Sequence, residues 1–487
     1  MSLRCPILLL AFTYLFTTAI AQNATPVKLP DDFRGQRVAA FLKLVNSTDD
    51  ATVRDFVTKE MAPNAEVPME ERVKRFQRLR ANVGAASLRR VLDVASEEIT
   101  ILLETKKPEW LSVRLVFDPN SQNQIGGFDI NAAEASAMQG PSAPAAPTKI
   151  NEADLAQTLE KYLNDLVKAD EFSGAVLVAK NGTPIFLKAY GLASKEFEVP
   201  NRVDTKFNLG SINKLFTTLA IAQLSDAGKV SFADPIKKYL PDYPNQQAAE
   251  KVTIKHLLMM SSGIGDIFGE NYEGTAKGKL RTLKDFLPLF AAQPLAFEPG
   301  TRRQYSNGGF VVLGLIIEKA SGQSYFDYVQ ENIYKVAGME STGHYESDSA
   351  VPNLASGYSR HLGEGGMRRN NAFSRPFRGS SAGGGYSTVE DMLKFANAIE
   401  SKKLAVPESL KASGPDIAGG GLASGIGVGG GAPGINAAFE TKVAGAYTIV
   451  VMSNYDPPTA EKVARQLRGW LGAPVGDGPR RIIRAAP

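Results

Sequence analysis

The sequence predicts an α+β protein in which a small module precedes a larger domain. In the small module, segments with the apolar spacing of helices come before segments with the alternation of strands. In the larger domain, strand-like segments near the two ends bracket a mostly helical middle. That second pattern predicts one antiparallel sheet, assembled from distant parts of the chain, with helices packed against it.

The small module is assigned to residues 30–130. Its helices and strands follow from the period of its apolar residues, which changes from helical to alternating partway along. The predicted helices are 36–45, 51–61 and 70–83, and the predicted strands are 88–94, 99–103, 111–117 and 124–128. In this order of elements the module resembles cystatin-like and nuclear-transport-factor-like domains.

The larger domain is assigned to 150–475, with a tail at 476–487. The segment before it, 131–149, is rich in Ala, Ser and Pro and has neither the period nor the bulk to pack, so we interpret it as a linker. The domain opens with a helix at 152–169. A hairpin then forms around Asn181-Gly182, a favoured two-residue turn. The hairpin strands are 174–179 and 184–190, and a strand at 445–453 and a helix at 459–471 close the domain.

Residues 1–21 have the pattern of a signal peptide. Arg4 precedes an apolar run over 7–16, and residues 19–21 form a small-x-small cleavage site. The apolar run is too short to be taken as a membrane span, and no later segment is apolar for long enough to cross a bilayer. We therefore expect an exported protein, periplasmic or secreted, with no stable membrane span in its mature chain.

Composition narrows the possible partners. The 487 residues are 43% hydrophobic and 22% charged, enough to bury at least two cores. The net charge of +4 comes from 55 basic and 51 acidic residues that are interspersed along the chain. The one dense basic run, 72–80, also has helical apolar spacing, so it fits a solvated helix face. Since the chain is expected to be exported, we predict no nucleic-acid partner.

The sequence contains no residue pattern that indicates a metal or cofactor site. The one cysteine, Cys5, lies in the predicted signal peptide, which leaves the mature chain without disulfides or thiolate ligands. The three histidines are too dispersed to give metal-ligand spacing. A Gly-x-Gly-x-x-Gly at 425–430 does not open a helix and has no evident acidic partner for a ribose. We expect neither a metal nor a cofactor.

The strongest chemical signal is Ser211 followed by Lys214 at the start of an apolar helix. A glycine turn at Gly210 feeds the hydroxyl into the helix. Residues i and i+3 share a face, so the lysine amine can lie beside the serine oxygen, and the first-turn N–H groups add positive potential. Such a pair can form a serine nucleophile and its base without histidine. A competing Gly-x-Ser-x-Gly at 379–383 lacks the buried strand that a nucleophile elbow needs.

Several stretches from Phe172 to Asn454 resemble serine hydrolases related to class C β-lactamases and DD-peptidases, whose fold is an antiparallel sheet flanked by helices with a further helical region. The matching stretches lie in the same order and at similar spacing. They are Ser173-Gly174-Ala175-Val176-Leu177-Val178, 207–214, His256-Leu257-Leu258-Met259-Met260-Ser261-Ser262-Gly263, Gln304-Tyr305-Ser306-Asn307-Gly308-Gly309, and 382–388 before Asp391. The resemblance implies that Tyr305 shares proton transfer with Lys214 and that Asn307 orients both substrate and lysine.

The third element of the family departs from its usual form. Where relatives carry Lys-Thr-Gly or His-x-Gly, the best match here begins at Val428 and brings no charge. The resemblance places an oxyanion hole at the N–H of Ser211 and that of Gly430 or Gly431, which needs only backbone donors. The missing cation could be replaced by an arginine, and the candidates are Arg302, Arg303 and Arg378.

These observations predict a serine hydrolase that works through an acyl-enzyme on Ser211. Without the cation, an esterase acting on small esters is favoured over a DD-carboxypeptidase, D-aminopeptidase or β-lactamase. A non-catalytic module that binds peptidoglycan or a partner is the remaining alternative. The expected partner is thus a small ester, amide or peptide substrate, and the oligomeric state stays open.

Overall fold

The computed structural model describes residues 27–473 with short gaps. The gaps are 64–68, 95–97, 106–109, 119–120, 134–148, 364–366, 414–421 and 423–424. The predicted signal peptide and C-terminal tail, and most of the predicted linker, lie outside the described residues. The chain divides into two compact units, Met1–Ala143 and Pro144–Pro487.

The first unit packs three helices on one face of a four-stranded antiparallel sheet. The strands follow one another in chain order across the sheet. Aromatic side chains join the layers, with the ring centroids of Phe56 and Phe76 5.4 Å apart and those of Phe76 and Phe128 5.3 Å apart. The helices are α1 (Phe33–Asn46), α2 (Asp50–Lys59) and α3 (Met69–Val83), and the strands are β1 (Ala86–Val94), β2 (Glu98–Thr105), β3 (Trp110–Asp118) and β4 (Gln124–Ala133).

The second unit contains a five-stranded antiparallel sheet assembled from its two ends, as the sequence predicts. Its strand order is β13-β14-β15-β5-β6. Asn181 and Gly182 both have positive φ, 49° and 79°, as the predicted two-residue hairpin turn requires. The strands of this unit, β5 to β15 in chain order, are Gly174–Lys180, Thr183–Tyr190, Leu192–Ser194, Val199–Pro200, Phe207–Asn208, Tyr358–Ser359, Arg369–Asn370, Tyr386–Ser387, Gly427–Ala432, Ile435–Val443 and Tyr447–Ser453.

Helices cover both faces of this sheet. One of them, α4 (Glu152–Lys168), lies in the N-terminal part of the unit. The others, α5 to α15 in chain order, are Lys214–Asp226, Gln246–Lys251, Ile254–Leu258, Glu270–Gly274, Leu287–Phe290, Asn307–Ser321, Tyr325–Val329, Lys335–Ala337, Val389–Glu400, Glu408–Ser413 and Thr459–Trp470. The predicted α+β class is confirmed in both units.

Strand β5 shows how the second unit builds two cores. Successive side chains of a strand point to opposite faces of its sheet. Val176 and Val178 join the apolar cluster that contains residues of α4 and α15, whereas Ala175 and Leu177 join the larger cluster that contains α5 and α10. All four are fully buried, so the continuous apolar run of β5 reflects burial on both faces.

Helix α10 passes through the larger cluster and is buried along most of its length. Gly314 lies so near a neighbouring loop that a Cβ there would be 2.2 Å from the Oγ of Ser381. The Ser381 hydroxyl donates to the backbone oxygen of Phe310 in the same helix. Glycine therefore permits the close approach of the loop that carries Ala382, which becomes important at the site.

Most predicted boundaries differ from those of the structure by a few residues, and two strand boundaries show why. The strand expected to begin at Gly445 begins at Tyr447, because Gly445 has φ +82° and lies in a turn. Strand β4 continues to Ala133, three residues past the assigned end of the small domain, through pairing of Ala133 with Trp110. Within the described residues, no helix is both long and apolar enough to span a membrane.

A buried ion pair ties α15 to β14. Nη1 of Arg468 lies 3.0 Å from Oε1 of Glu440, and the two side chains are only 5% and 4% exposed. We predict that Arg468→Met lowers the free energy of unfolding by about 3–5 kcal/mol, because it leaves a buried carboxylate without its partner. Urea unfolding followed by Trp470 fluorescence in a Trp110→Phe background measures this change.

The exposed pair on α4 is the matched control. Nζ of Lys161 lies 2.7 Å from Asp165, with the side chains 79% and 55% exposed, so Lys161→Met should cost less than about 1 kcal/mol. Equal effects from both substitutions would contradict the assignment of the Arg468 pair as a buried constraint.

Candidate active site

The turn before α5 brings Ser211 and Lys214 together. Gly210 has φ +50° and opens a 3₁₀ turn over Gly210–Asn213, and Lys214 is the first residue of α5. The sequence predicts Ser211 within a helix, and the 3₁₀ turn serves the same purpose because it eclipses residues i and i+3. Nζ of Lys214 lies 3.2 Å from Oγ of Ser211.

The start of α10 supplies Tyr305 and Asn307. Ser306 is the N-cap residue, and its Oγ accepts a hydrogen bond from the backbone N–H of Gly309. This cap fixes the direction of the residues on either side of it. The hydroxyl of Tyr305 lies 2.6 Å from Oγ of Ser211 and 2.7 Å from Nζ of Lys214, and Oδ1 of Asn307 lies 2.8 Å from the same Nζ.

Lys214 is buried although lysine is almost never fully buried in proteins. Its Nζ lies 4.8 Å from the ring centroid of Tyr305 and 5.4 Å from that of Phe310. Burial lowers the pKa of Lys214 to about 7, and the negative charge of Asp266 acts in the opposite direction. A substantial fraction of Lys214 is therefore neutral, and able to accept a proton, near neutral pH.

The neighbours of Lys214 set the direction of its lone pair. The amine donates to Oδ1 of Asn307 and to the backbone oxygen of Ala382, and both of these groups can only accept. A neutral amine has two N–H bonds and one lone pair. With both N–H bonds used by these acceptors, the lone pair faces the hydroxyls of Ser211 and Tyr305.

Tyr305 is placed between nucleophile and base. Burial raises the pKa of Tyr305 well above its ordinary value, so the phenol keeps its proton at neutral pH. It can accept a proton from Ser211 while passing its own to Lys214. The geometry thus favours Lys214 as the base and Tyr305 as the proton relay.

The glycine strand β13 lies against the nucleophile turn. A Cβ at Gly430 would lie 2.1 Å from the backbone oxygen of Leu209 and 2.8 Å from the backbone nitrogen of Ser211, while a Cβ at Gly431 would meet Pro457. Both residues pair with β14. Gly430 is therefore required for close packing at Ser211, and an oxyanion-hole donor from Gly430 or Gly431 stays a prediction.

The position of the missing cation is apolar. Val428 is 5% exposed and belongs to the larger apolar cluster. Of the candidate replacements, Arg378 lies over the ring of Phe326 at 3.7 Å and donates to the backbone oxygen of His344. Arg302 lies over the ring of Phe297 at 4.5 Å. Within the part of the chain that the structure describes, neither arginine has a hydrogen bond, ion pair or ring contact with Ser211, Lys214 or Tyr305.

The motifs set aside at the sequence level have structural explanations. In the stretch 379–383, the Ser380 hydroxyl accepts from the N–H of Ala382 and that of Ser381 donates to α10. The stretch 425–430 leads into the edge strand β13 instead of opening a helix. His256 belongs to a capping box with Thr253. Among the described residues, no group of three or more His, Cys, Asp or Glu could hold a metal ion.

Sequence reasoning missed two contributors. Asp266 accepts hydrogen bonds from the side chain and backbone of Asn307, and the backbone oxygen of Ala382 accepts from Lys214. Asp266 lies three residues after the quoted stretch that ends at Gly263, so a carboxylate just past that turn was a usable signal. The Ala382 carbonyl carries no side-chain signal, since backbone oxygens are the same in every residue.

Comparison with known proteins agrees with this fold and geometry. The family model described as Beta-lactamase matches residues 156–472, more than half of the chain, and the chain therefore belongs to this family of serine hydrolases. Penicillin-binding protein 4* of Bacillus subtilis (strain 168) is 34% identical over 205 residues, covering 41% of this chain and 45% of that protein. The chain thus spans less than half of that relative's length.

Two further relatives cover more of their own length. Esterase EstB of Burkholderia gladioli is 31% identical over 291 residues, covering 54% of this chain and 74% of that protein. The solved structure of a penicillin binding protein from Bacillus halodurans has a TM-score of 0.57 and 33% identity, covering 63% of this chain and 98% of that chain. The chain is therefore similar both to a protein named as an esterase and to proteins named as penicillin-binding proteins.

The pKa of Lys214 gives a pH dependence. Only the neutral amine can accept the Ser211 proton, so kcat/KM for a neutral ester should rise with pH and level off above a midpoint of about 7. Stopped assays with 4-nitrophenyl butyrate from pH 5.5 to 9 measure this profile. A midpoint near the ordinary value for lysine, or a profile flat across this range, would contradict a buried neutral base.

Gly430 gives a steric prediction. Gly430→Ala should reduce kcat/KM on the order of 100-fold, because displacement of β13 or of the Ser211 turn by about 1 Å misplaces the reacting atoms. Gly429→Ala on the same strand is the matched control, since its Cβ would lie 3.2 Å from the flexible end of Glu461. Similar activity in the two variants would argue against a close contact at Gly430.

Proposed function

We propose that this chain is an exported serine hydrolase that cleaves small neutral esters through an acyl-enzyme on Ser211. The observation that carries the proposal is the position of a buried Lys214 amine between two acceptors, with its lone pair toward the Ser211 and Tyr305 hydroxyls. Proton transfer from serine is thereby prepared before substrate arrives. The acyl-enzyme route follows from a serine that is activated in this way.

In the acylation step, Oγ of Ser211 forms a bond to the ester carbonyl carbon. The Ser211 proton moves to the oxygen of Tyr305, and the phenol proton moves to Nζ of Lys214. The carbonyl oxygen gains negative charge, for which backbone N–H groups at Ser211 and at Gly430 or Gly431 are the proposed donors. The C–O bond to the alcohol then breaks, and the proton returns through Tyr305 to the leaving oxygen.

In the deacylation step, water takes the place of the alcohol. Its proton passes to Lys214 by the same relay as its oxygen attacks the acyl carbon. The bond to Oγ breaks, the acid leaves, and Ser211 regains a proton. One lysine therefore acts as base and then as acid in each half of the reaction, for which a pKa near the working pH is favourable.

The electrostatics favour a neutral substrate. A peptide substrate that ends in a carboxylate needs a cation on the strand that faces the nucleophile, and Val428 there is apolar and buried. Arg302 and Arg378 are stacked on aromatic rings elsewhere. The similarity to Esterase EstB supports the same choice.

The exposed aromatic side chain of Phe268, two residues after Asp266, favours an apolar group on the substrate. Phe268 is 40% exposed, and its ring centroid lies 4.9 Å from that of Tyr272. Side chains of this kind bind acyl or alcohol groups by burying their apolar surface.

The second candidate is a DD-carboxypeptidase, D-aminopeptidase or β-lactamase activity. It is favoured by the similarity to Penicillin-binding protein 4* and to the solved penicillin binding protein from Bacillus halodurans. The catalytic groups would act in the same way on an amide. For the DD-carboxypeptidase and β-lactamase activities, the difference from the esterase lies in recognition of the substrate carboxylate.

Intact-mass labelling of the protein recovered after export separates these functions. We expect a fluorophosphonate to add once to the wild type and not to Ser211→Ala, with labelling of Lys214→Ala slower by at least about 100-fold. A mature chain that starts at Gln22 would support export. We expect little penicillin adduct but turnover of 4-nitrophenyl butyrate.

The other outcomes have defined meanings. A stable penicillin adduct on Ser211 with poor ester turnover would replace the esterase with the peptidase candidate. Ligand binding without any covalent adduct would overturn catalysis and leave a binding module for peptidoglycan or a partner. Labelling that survives in Ser211→Ala would contradict the nucleophile itself.

A further inference from the structure

We infer that Asp266 is a positioning residue for the proposed reaction, which holds the Asn307 amide in the one orientation that leaves the Lys214 lone pair facing Ser211 and Tyr305. The inference rests on the proposed function and adds to it a residue that does not touch the reacting atoms. It is carried by the contacts of the Asp266 carboxylate.

The Asp266 carboxylate accepts hydrogen bonds from both the side chain and the backbone of Asn307. Nδ2 of Asn307 donates to both carboxylate oxygens, each at 3.0 Å, and its backbone N–H donates to Oδ2 at 2.9 Å. The backbone N–H of Phe268 donates to Oδ1 at 3.0 Å. Because Asn307 is the first residue of α10, the carboxylate also lies at the positive end of that helix. The contact set fixes both the backbone and the side chain of Asn307.

The chemistry of a carboxylate determines which way the amide points. An ionised carboxylate only accepts hydrogen bonds, so Asn307 must present its NH₂ group to Asp266. The amide oxygen is then left to face Lys214, where it accepts from Nζ at 2.8 Å. Asp266 thus selects between two amide orientations that have nearly the same shape.

The reverse orientation would disable the base. A flipped Asn307 would aim an N–H at Nζ of Lys214, and the neutral amine could meet that donor only with its lone pair. The lone pair would then be unavailable to Tyr305 and Ser211. The flip would also place a carbonyl oxygen against the Asp266 carboxylate, which is the repulsion that keeps it from occurring.

The charge of Asp266 acts on the same base. It opposes the effect of burial on the pKa of Lys214 and so keeps the amine basic enough to take a proton. Among the described residues, two titratable groups act on Lys214: Tyr305 through a hydrogen bond and Asp266 through its charge. The loop beside Lys214 contributes the backbone carbonyl of Ala382, which does not titrate. Positioning and basicity therefore depend on one carboxylate.

Asp266→Asn tests both effects. The carboxylate of Asp266 accepts hydrogen bonds from several N–H groups, and an asparagine would place its own NH₂ group against one of these donors. The substitution therefore removes the constraint on Asn307 as well as the charge. We expect the plateau rate of fluorophosphonate labelling to fall on the order of 100-fold, the cost of a catalytic group out of place by about 1 Å. We also expect the midpoint of the labelling pH profile to move to lower pH.

Asp285→Asn is the matched control. Asp285 likewise accepts from backbone N–H groups at the start of a helical turn, those of Arg281 and Thr282, at 3.1 and 2.6 Å. Its replacement should leave labelling rate and midpoint unchanged. Asp266→Glu keeps the charge and should hold the midpoint nearer the wild-type value. If Asp266→Asn does not fold, Asp266→Glu carries the test, because its longer side chain disturbs the grip on Asn307 and should lower the plateau alone.

A double-mutant cycle separates positioning from general destabilisation. If Asp266 acts on the plateau rate through the Asn307 amide, Asp266→Asn should cost much less in an Asn307→Ala background than in the wild type, because that background keeps only the backbone contact. Independent losses in the two variants would overturn the inference.

Failure of the inference can be told from failure of the proposed function. The pKa of Lys214, measured by NMR with ¹³C-labelled lysine in wild type and Asp266→Asn, requires no turnover and no adduct. A lower pKa in the variant would support the effect of Asp266 on basicity even if esters are not substrates, and the labelling cycle tests positioning without ester turnover. An equal pKa in the two proteins would contradict that effect, whatever the ester activity.

Discussion

The burial of the Lys214 side chain is the constraint on which the site depends. A lysine taken out of water is destabilised in its charged form, so its pKa falls, and a substantial fraction of Lys214 is neutral near neutral pH. The neutral amine that results has two N–H groups to satisfy, and Asn307 and Ala382 provide the acceptors. In the proposed reaction, the remaining lone pair accepts the Ser211 proton by way of Tyr305. The proposed catalysis thus depends directly on the burial of this amine.

The surrounding helices and loops exclude this amine from solvent. Helices α5 and α10 pass side by side through the larger core, and both are buried on most of their surface, as expected for helices that are apolar all round. Gly314 lets the loop with Ala382 approach α10, and Gly430 lets β13 approach the Ser211 turn. Close backbone contacts at glycine therefore replace side chains around the reacting atoms. The same glycines leave little tolerance for substitution.

Local patterns predicted the parts of this structure that depend on local chemistry. The Asn181-Gly182 turn, strand β5 and the Ser211 and Lys214 spacing each follow from a few adjacent residues. Pairing across long distances was harder to foresee: β14 was not predicted, since its Ala437 and Ala438 give little strand signal and only its neighbours bury them. The Ala382 carbonyl and Asp266 were missed for a related reason, because their roles arise from tertiary contacts.

The family resemblance predicted Tyr305 and Asn307, and the structure brings both to Lys214. It could not predict how the departure at Val428 is accommodated. Val428 packs into the larger apolar cluster, so apolar packing occupies the position at which relatives carry a charge. Substrate choice within such a family depends on positions of this kind and not on the shared fold.

The most direct test of the account is the protonation of Lys214 seen by neutron diffraction from a deuterium-exchanged crystal at a pH above the midpoint of about 7. The account predicts two deuterium atoms on Nζ, directed at Asn307 and Ala382, with the Tyr305 hydroxyl deuterium directed at Nζ. Three deuterium atoms on Nζ at that pH would contradict it, because a charged lysine has no lone pair to accept the Ser211 proton.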